Sequence, residues 1–128
     1  MLEIDFRDTD LEARDAALQT IQDEASTICE RRQVEWSSHV INADPPAICD
    51  PDLVTRIDEA AENAGTSHRR LISRAYHDAL FMARLCPTSM IFIPCYRGYS
   101  HRPDEFASAE AITNGVRVLA ETLKGLCR

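Results

Sequence analysis

The sequence predicts an α/β chain with the element order β-α-β, a linker, then α-α-β-α. Three observations carry that order. Residues 2–6 alternate apolar and acidic side chains, the period of a strand with one buried face. Leu11, Leu18, Ile21, Ala25 and Ile28 recur at spacings of seven, three, four and three, which lays one apolar stripe along a helix. Met90-Ile91-Phe92-Ile93 is a short unbroken apolar run, the pattern of a strand buried on both faces.

The first strand sets Leu2, Ile4 and Phe6 against Glu3 and Asp5. It begins at residue 2 with nothing upstream to cover it, and a start that abrupt points to part of a longer chain. Asp8-Thr9-Asp10-Leu11-Glu12 reads as a helix start, with Thr9 as the cap and Glu12 completing a capping box three residues later. That helix runs to about Arg32, with acids in its first turn and Arg31-Arg32 in its last, as the helix dipole prefers. Val34 to Ile41 reads as a second strand with Val34, Trp36, Ser38 and Val40 on one face. Asn42-Ala43-Asp44-Pro45-Pro46 is the linker, because two prolines end the strand and stiffen the connection. The expected division is therefore 1–43 and 44–128.

In the second part, Asp50 caps a helix that Pro51 starts and Gly65 stops, each in the position it favours. Leu53, Val54, Ile57, Ala60, Ala61 and Ala64 form its apolar face. A third helix is expected over His77 to Leu85, running into Pro87. Pro94 closes the apolar run, since proline cannot donate to a sheet ladder. Ser108 caps a last helix whose Ile112, Val116, Leu119, Leu123 and Leu126 recur at four, three, four and three.

A chain of 128 residues suits one domain, and its 45% hydrophobic and 27% charged composition is ordinary for a globular protein. A net charge of −7 argues against a nucleic-acid partner, which rewards clustered Lys and Arg. No apolar run approaches the roughly 20 residues that span a bilayer, and Met1-Leu2-Glu3-Ile4-Asp5 lacks the basic and apolar regions of a signal peptide. A cytoplasmic protein without a membrane partner is expected. Cys29, Cys49, Cys86, Cys95 and Cys127 form no Cys-x-x-Cys pair, so they read as reduced, mostly buried thiols.

Gly98-Tyr99-Ser100-His101-Arg102-Pro103-Asp104-Glu105 resembles the Gly-x-Ser-His-x-Pro-x-Glu signature of zinc or manganese amidohydrolases that act on N-carbamoyl compounds. These include allantoate amidohydrolase, ureidoglycolate amidohydrolase, N-carbamoyl-L-amino-acid hydrolase and β-ureidopropionase, relatives of the co-catalytic zinc aminoacylases and carboxypeptidases. Ser73-Arg74-Ala75-Tyr76-His77-Asp78-Ala79 is similar to that family's Ser-Gly-Ala-Gly-His-Asp-Ala. Cys86 to Pro94 is similar to its Pro-Thr-x-Met-Ile-Phe-x-Pro strand, and Leu2 to Arg7 to the Asp-x-Arg strand of its smaller lid domain. The four motifs occur in family order, and together they match the carboxyl-terminal third of a longer family chain.

The resemblance implies that residues 1–43 are half of a ferredoxin-like α+β lid and that 44–128 form the carboxyl-terminal edge of a mixed α/β/α sheet. One strand does not make a sheet, and each buried backbone group left unpaired costs on the order of 1–3 kcal/mol. Residues 90–93 must therefore pair with the lid strands, with another copy of the chain, or with a separate partner. A homodimer is expected on that ground, and a separately made amino-terminal subunit is the other candidate.

The resemblance also implies roles. His101 matches a metal ligand of the family, yet a catalytic zinc takes about three protein ligands and an open position. The remaining ligands, and the acid that activates water, lie in the part of the family chain that this sequence does not match. Asp104 and Glu105 are near, but their plainest reading is as solvated loop acids. Arg7 matches the lid arginine that holds the substrate carboxylate, chemistry that suits a guanidinium fork; the plainer reading pairs it with Asp5 or Asp8. At Arg74 and Tyr76 the family has glycines, whose missing Cβ lets backbone approach the substrate. Bulk there fills the site or moves the loop. His77 and Asp78 read as capping and orienting the following helix rather than moving protons. Cys95 lies near His101 without an orienting third group for nucleophilic catalysis.

The expected function is therefore the carboxyl-terminal part, or a free-standing homologue of it, of a metal-dependent hydrolase of non-peptide C–N bonds. The resemblance implies attack of a metal-bound hydroxide on a ureido carbonyl with release of ammonia and carbon dioxide, and zinc or manganese as the cofactor. No catalytic residue is assigned within the chain. The rival expectations are a non-catalytic remnant acting as a dimerising or regulatory module, and one subunit of a split enzyme.

Overall fold

A computed structural model describes residues 1–127 and divides the chain into two compact units, Met1–Ile48 and the part from Cys49 onward.

The first unit holds one helix, α1 (Leu11–Arg32), between irregular segments. Its cap is Asp10 and not Thr9: the Asp10 carboxylate accepts from the Ala13 amide at 3.1 Å. The expected capping box with Glu12 therefore does not form. Asp caps at least as well as Thr and adds a negative charge at the positive end of the helix dipole. At the other end Gln33 turns left-handed at φ 55°, and the Val34 amide reaches back to the Cys29 carbonyl at 3.0 Å. That bond is the signature of a Schellman stop. No residue of α1 is buried. The segment after the helix is held by polar side chains instead: Arg14 Nη1 donates to the Asp44 carbonyl at 2.6 Å, and Gln22 Nε2 to Ser38 Oγ at 3.2 Å. Trp36, on one face of the expected second strand, stays partly exposed.

The second unit is built on α2 (Pro51–Asn63) and α4 (Ala109–Leu126), with the one-turn α3 (Ala79–Met82) between them in sequence. Asp50 caps α2 by accepting from the Leu53 amide at 2.9 Å, and Gly65 follows it at φ +65°. Ser108 caps α4 by accepting from the Ala111 amide at 3.1 Å. Ala60, Ala61 and Val118 form the core, with Ile57, Ala64 and Ile91 packed against it. Small side chains on α2 let α4 approach closely. Thr122 is buried at the same contact and satisfies its hydroxyl on the Val118 carbonyl one turn back, at 2.9 Å.

The large apolar stripe of α4 is not what packs on α2. Ile112, Val116, Leu119, Leu123 and Leu126 remain 46–60% exposed, while Ala111, Val118 and Thr122 are buried. The expected third helix shrinks to a single turn because the Arg84 and Leu85 amides bond three residues back, to Phe81 and Met82, and tighten the chain ahead of Pro87.

Residues 2–6, 34–41 and 90–93, expected as strands, form no ladder among the described residues. A strand exists only where a neighbour pairs with it, and among the described residues none of these segments makes ladder hydrogen bonds. Residues 89–94 nevertheless keep strand-like alternation. Ile91 and Ile93 line a groove beside α4, whereas the Phe92 ring lies against the His77 ring at 5.6 Å. Gly115 admits that approach, since a Cβ there would stand 2.5 Å from Ile93 Cγ2.

All five cysteines are free, and none is buried as expected: Cys86 and Cys127 are exposed and the other three intermediate. Among the described residues no helix is long and apolar enough to cross a membrane.

Candidate functional site

The loop that carries His101 is closed by the Tyr96 amide donating to the Phe106 carbonyl at 2.7 Å. Inside it Arg97, Gly98 and His101 all have left-handed backbone, at φ 52°, 71° and 58°. For a non-glycine residue that conformation is uncommon and is held only by its surroundings. At His101 the holder is Glu105, whose Oε2 accepts from the His101 amide at 2.8 Å. Asp104 takes the Arg102 guanidinium through both oxygens, at 2.8 and 3.0 Å, and the same guanidinium lies 3.8 Å above the Tyr99 ring. Tyr99 meets Tyr96 edge to face at 6.0 Å. Cys95 Sγ contacts the Tyr99 carbonyl at 3.4 Å.

Both nearby acids are thus engaged, Glu105 with backbone and Asp104 with Arg102, while His101 is exposed. Among the described residues no three His, Cys, Asp or Glu side chains gather closely enough to hold a metal ion. The donor set of this chain does not by itself fit a zinc or manganese centre, and His101 would supply one ligand of several.

The Ser73–Ala79 segment holds a pair that sequence reasoning missed. Ser73 Oγ and His77 Nε2 are 2.7 Å apart and partly buried, and the Ala75 amide donates to the same Oγ at 3.3 Å. The expected capping role is therefore only partial. Asp78 occupies the N-cap position of α3 without a side-chain hydrogen bond, and His77 contributes its carbonyl to the Leu80 amide while its ring holds Ser73. Tyr76 turns its ring edge to Phe81 at 5.8 Å. A four-residue separation outside a helix leaves no periodic signal, so spacing alone could not have revealed the Ser73–His77 contact.

Arg7 lies in the first unit, apart in sequence from everything above, and grips Asp5. Its Nε donates to Asp5 Oδ1 at 2.9 Å and its Nη2 to Oδ2. The hydrogen bonds from Arg7, and less so its charge, lower the pKa of Asp5 below the usual 3.8, and Asp5 raises that of Arg7 in return. The guanidinium fork thus already holds a carboxylate, that of Asp5, which is the plainer of the two pairings expected for it.

Comparison with known proteins gives this geometry a context. The profile of Peptidase family M20/M25/M40 matches residues 8–125. The chain is 50% identical to the ureidoglycolate hydrolase of Arabidopsis thaliana over 126 residues, which is 98% of this chain and 26% of that protein. It is 40% identical to the N-carbamoyl-L-amino-acid amidohydrolase of Rhizobium meliloti over 91% of its length and 28% of that protein. With the allantoate amidohydrolase of Escherichia coli K12 it shares 31% identity over 91% of its length and 28% of that protein. Among solved structures, that of AtUAH in complex with (S)-hydroxyglycine superposes with a TM-score of 0.78 at 49% identity, over 94% of this chain and 29% of that one. The chain belongs to Peptidase family M20/M25/M40. Its relatives there are hydrolases of ureido and N-carbamoyl compounds, and it spans about a quarter of their length.

Proposed function

We propose that this chain is the carboxyl-terminal portion, or a free-standing homologue of that portion, of a metal-dependent amidohydrolase acting on ureidoglycolate, allantoate or N-carbamoyl amino acids. The observation that carries this reading is the 50% identity to a ureidoglycolate hydrolase along 98% of the chain. In this reading His101 is one ligand of a zinc or manganese ion whose other ligands come from polypeptide outside this sequence. Arg7 exchanges Asp5 for the carboxylate of the substrate. The mixed sheet forms in that assembled, cytoplasmic state, as a homodimer or with a separate amino-terminal subunit.

The test measures metal content and hydrolysis of the three substrate classes on the purified chain, alone and with the remainder of the Arabidopsis enzyme. The chain alone is expected to hold well under one ion and to turn nothing over. The mixture is expected to be active, with His101→Ala lowering turnover by at least a hundredfold, about 3 kcal/mol in the barrier. An active mixture indifferent to His101→Ala would sink the assignment.

A second reading, a non-catalytic dimerising or regulatory module, is favoured by Tyr76. This bulky residue stands where the resembling motif has glycine, and its ring is committed to Phe81. Absence of metal and turnover in the mixture would favour it.

A further inference from the structure

His101 sits at φ 58°, in the left-handed region that a residue with a Cβ adopts only at a cost. Glycine takes that conformation freely, yet this position carries an imidazole. The chain that follows supplies the support. The Glu105 amide donates to the Arg102 carbonyl at 3.1 Å, which closes a reverse turn over Arg102-Pro103-Asp104-Glu105. Pro103 stands second in that turn, the place where its preset φ is favoured. The turn folds the chain back, and the Glu105 side chain crosses it to accept from the His101 amide at 2.8 Å. Asp104 meanwhile takes the Arg102 guanidinium through both oxygens, above the Tyr99 ring. Two adjacent acids thus have separate partners: Asp104 occupies the guanidinium, and Glu105 is left to the backbone.

We infer that Glu105 is a positioning residue: by holding the His101 amide it sets the left-handed backbone there, and with it the direction in which the imidazole leaves the chain. The link is geometric. Rotation about φ carries the Cα–Cβ bond around with it, so a return to the common negative φ would swing the imidazole to another side of the loop. The reach also depends on side-chain length. Aspartate is one methylene shorter, whereas glutamine keeps an oxygen acceptor at the same distance from its own backbone. Glu105 is therefore more than the solvated loop acid of its plainest reading. The inference rests on the function proposed above, in which the imidazole of His101 is the group this loop delivers.

The experiment has two readouts. In the chain alone, the amide–Hα coupling and the Cα chemical shift of His101, measured by NMR, report the hand of its backbone. Glu105→Ala and Glu105→Asp are expected to move both signals to negative-φ values, and Glu105→Gln to leave them in place. Unchanged amide shifts in α2 and α4 show that each variant is folded. In the chain joined to the remainder of the Arabidopsis enzyme, Glu105→Ala and Glu105→Asp should each lower kcat at least tenfold while KM changes less than threefold. Glu105→Gln should keep at least a third of the turnover. The inference is overturned if the His101 signals stay put in Glu105→Ala, or if they move and turnover does not fall. It is also overturned if Glu105→Gln loses as much as Glu105→Ala, which would make the charge, and not the hydrogen bond, the essential feature. A joined chain that is inactive, or indifferent to His101→Ala, would contradict the enzymatic reading, and the NMR comparison would then decide the role of Glu105.

Discussion

At Arg7 the guanidinium is held by Asp5 two residues earlier, on an exposed stretch of chain. Surface pairs of this kind contribute little to stability, so their importance lies in what they compete with. Because Asp5 has its pKa lowered in the folded state, its contribution is present above the ordinary value of 3.8 and disappears as the pH falls through the lowered one. A carboxylate ligand must therefore displace Asp5 throughout the neutral range. Arg7→Ala is expected to move the Asp5 titration midpoint upward to the ordinary value, measured by NMR of its side-chain carboxyl; an unmoved midpoint would show that the pairing does not persist in solution. The close spacing of Arg7 to Asp5 made this contact readable in the sequence. The left-handed backbone of His101 was not readable, because it depends on Glu105 folding back across the loop.

Elements show the same division between local and distant causes. The caps at Asp50 and Ser108 and the stops at Gly65 and near Gln33 are local chemistry, and the boundaries of α1, α2 and α4 follow from them. The one-residue error at Thr9 arose because two good caps stand side by side. The expected strands form no ladder among the described residues for a different reason: apolar alternation prepares a strand, but only a partner completes it, and that partner is not written in the segment itself. The stripe on α4 was legible as a pattern, yet which face would pack was decided by Ala60 and Ala61 on α2. Gly115 and Gly125 test the packing of this helix. Alanine favours a helix over glycine by up to about 1 kcal/mol. At Gly125 nothing lies within 4 Å of the added Cβ, so Gly125→Ala should stabilise by roughly that amount. At Gly115 the Cβ would collide with the stiff, branched Ile93, and overpacking of this kind costs about 1–3 kcal/mol. Gly115→Ala should therefore lower the urea midpoint while Gly125→Ala raises it.

For the whole molecule, the two units differ in what holds them. The second has a small buried core between α2 and α4, and in α1 of the first no residue is buried. Local stability follows buried contact. Amides of α1 are accordingly expected to exchange well before those at the α2–α4 contact, read by native-state hydrogen exchange; equal protection in both helices would contradict the assignment of the core. Family membership was legible because four motifs keep their order along the chain, and the profile match over residues 8–125 agrees with it. The candidate site was less legible, because His101, Arg7 and the Ser73–His77 pair lie in separate loops whose shapes are set by contacts no spacing rule contains.

The three left-handed residues Arg97, Gly98 and His101 have one more consequence. Backbone of that hand cannot continue a ladder, and Pro94 before it has no amide to offer. Any strand laid against residues 89–94 therefore meets a fixed terminus and cannot slip onward by two residues in search of another pairing. The imidazole of His101 is thereby indexed to the end of that strand, like a bead knotted just past the last rung.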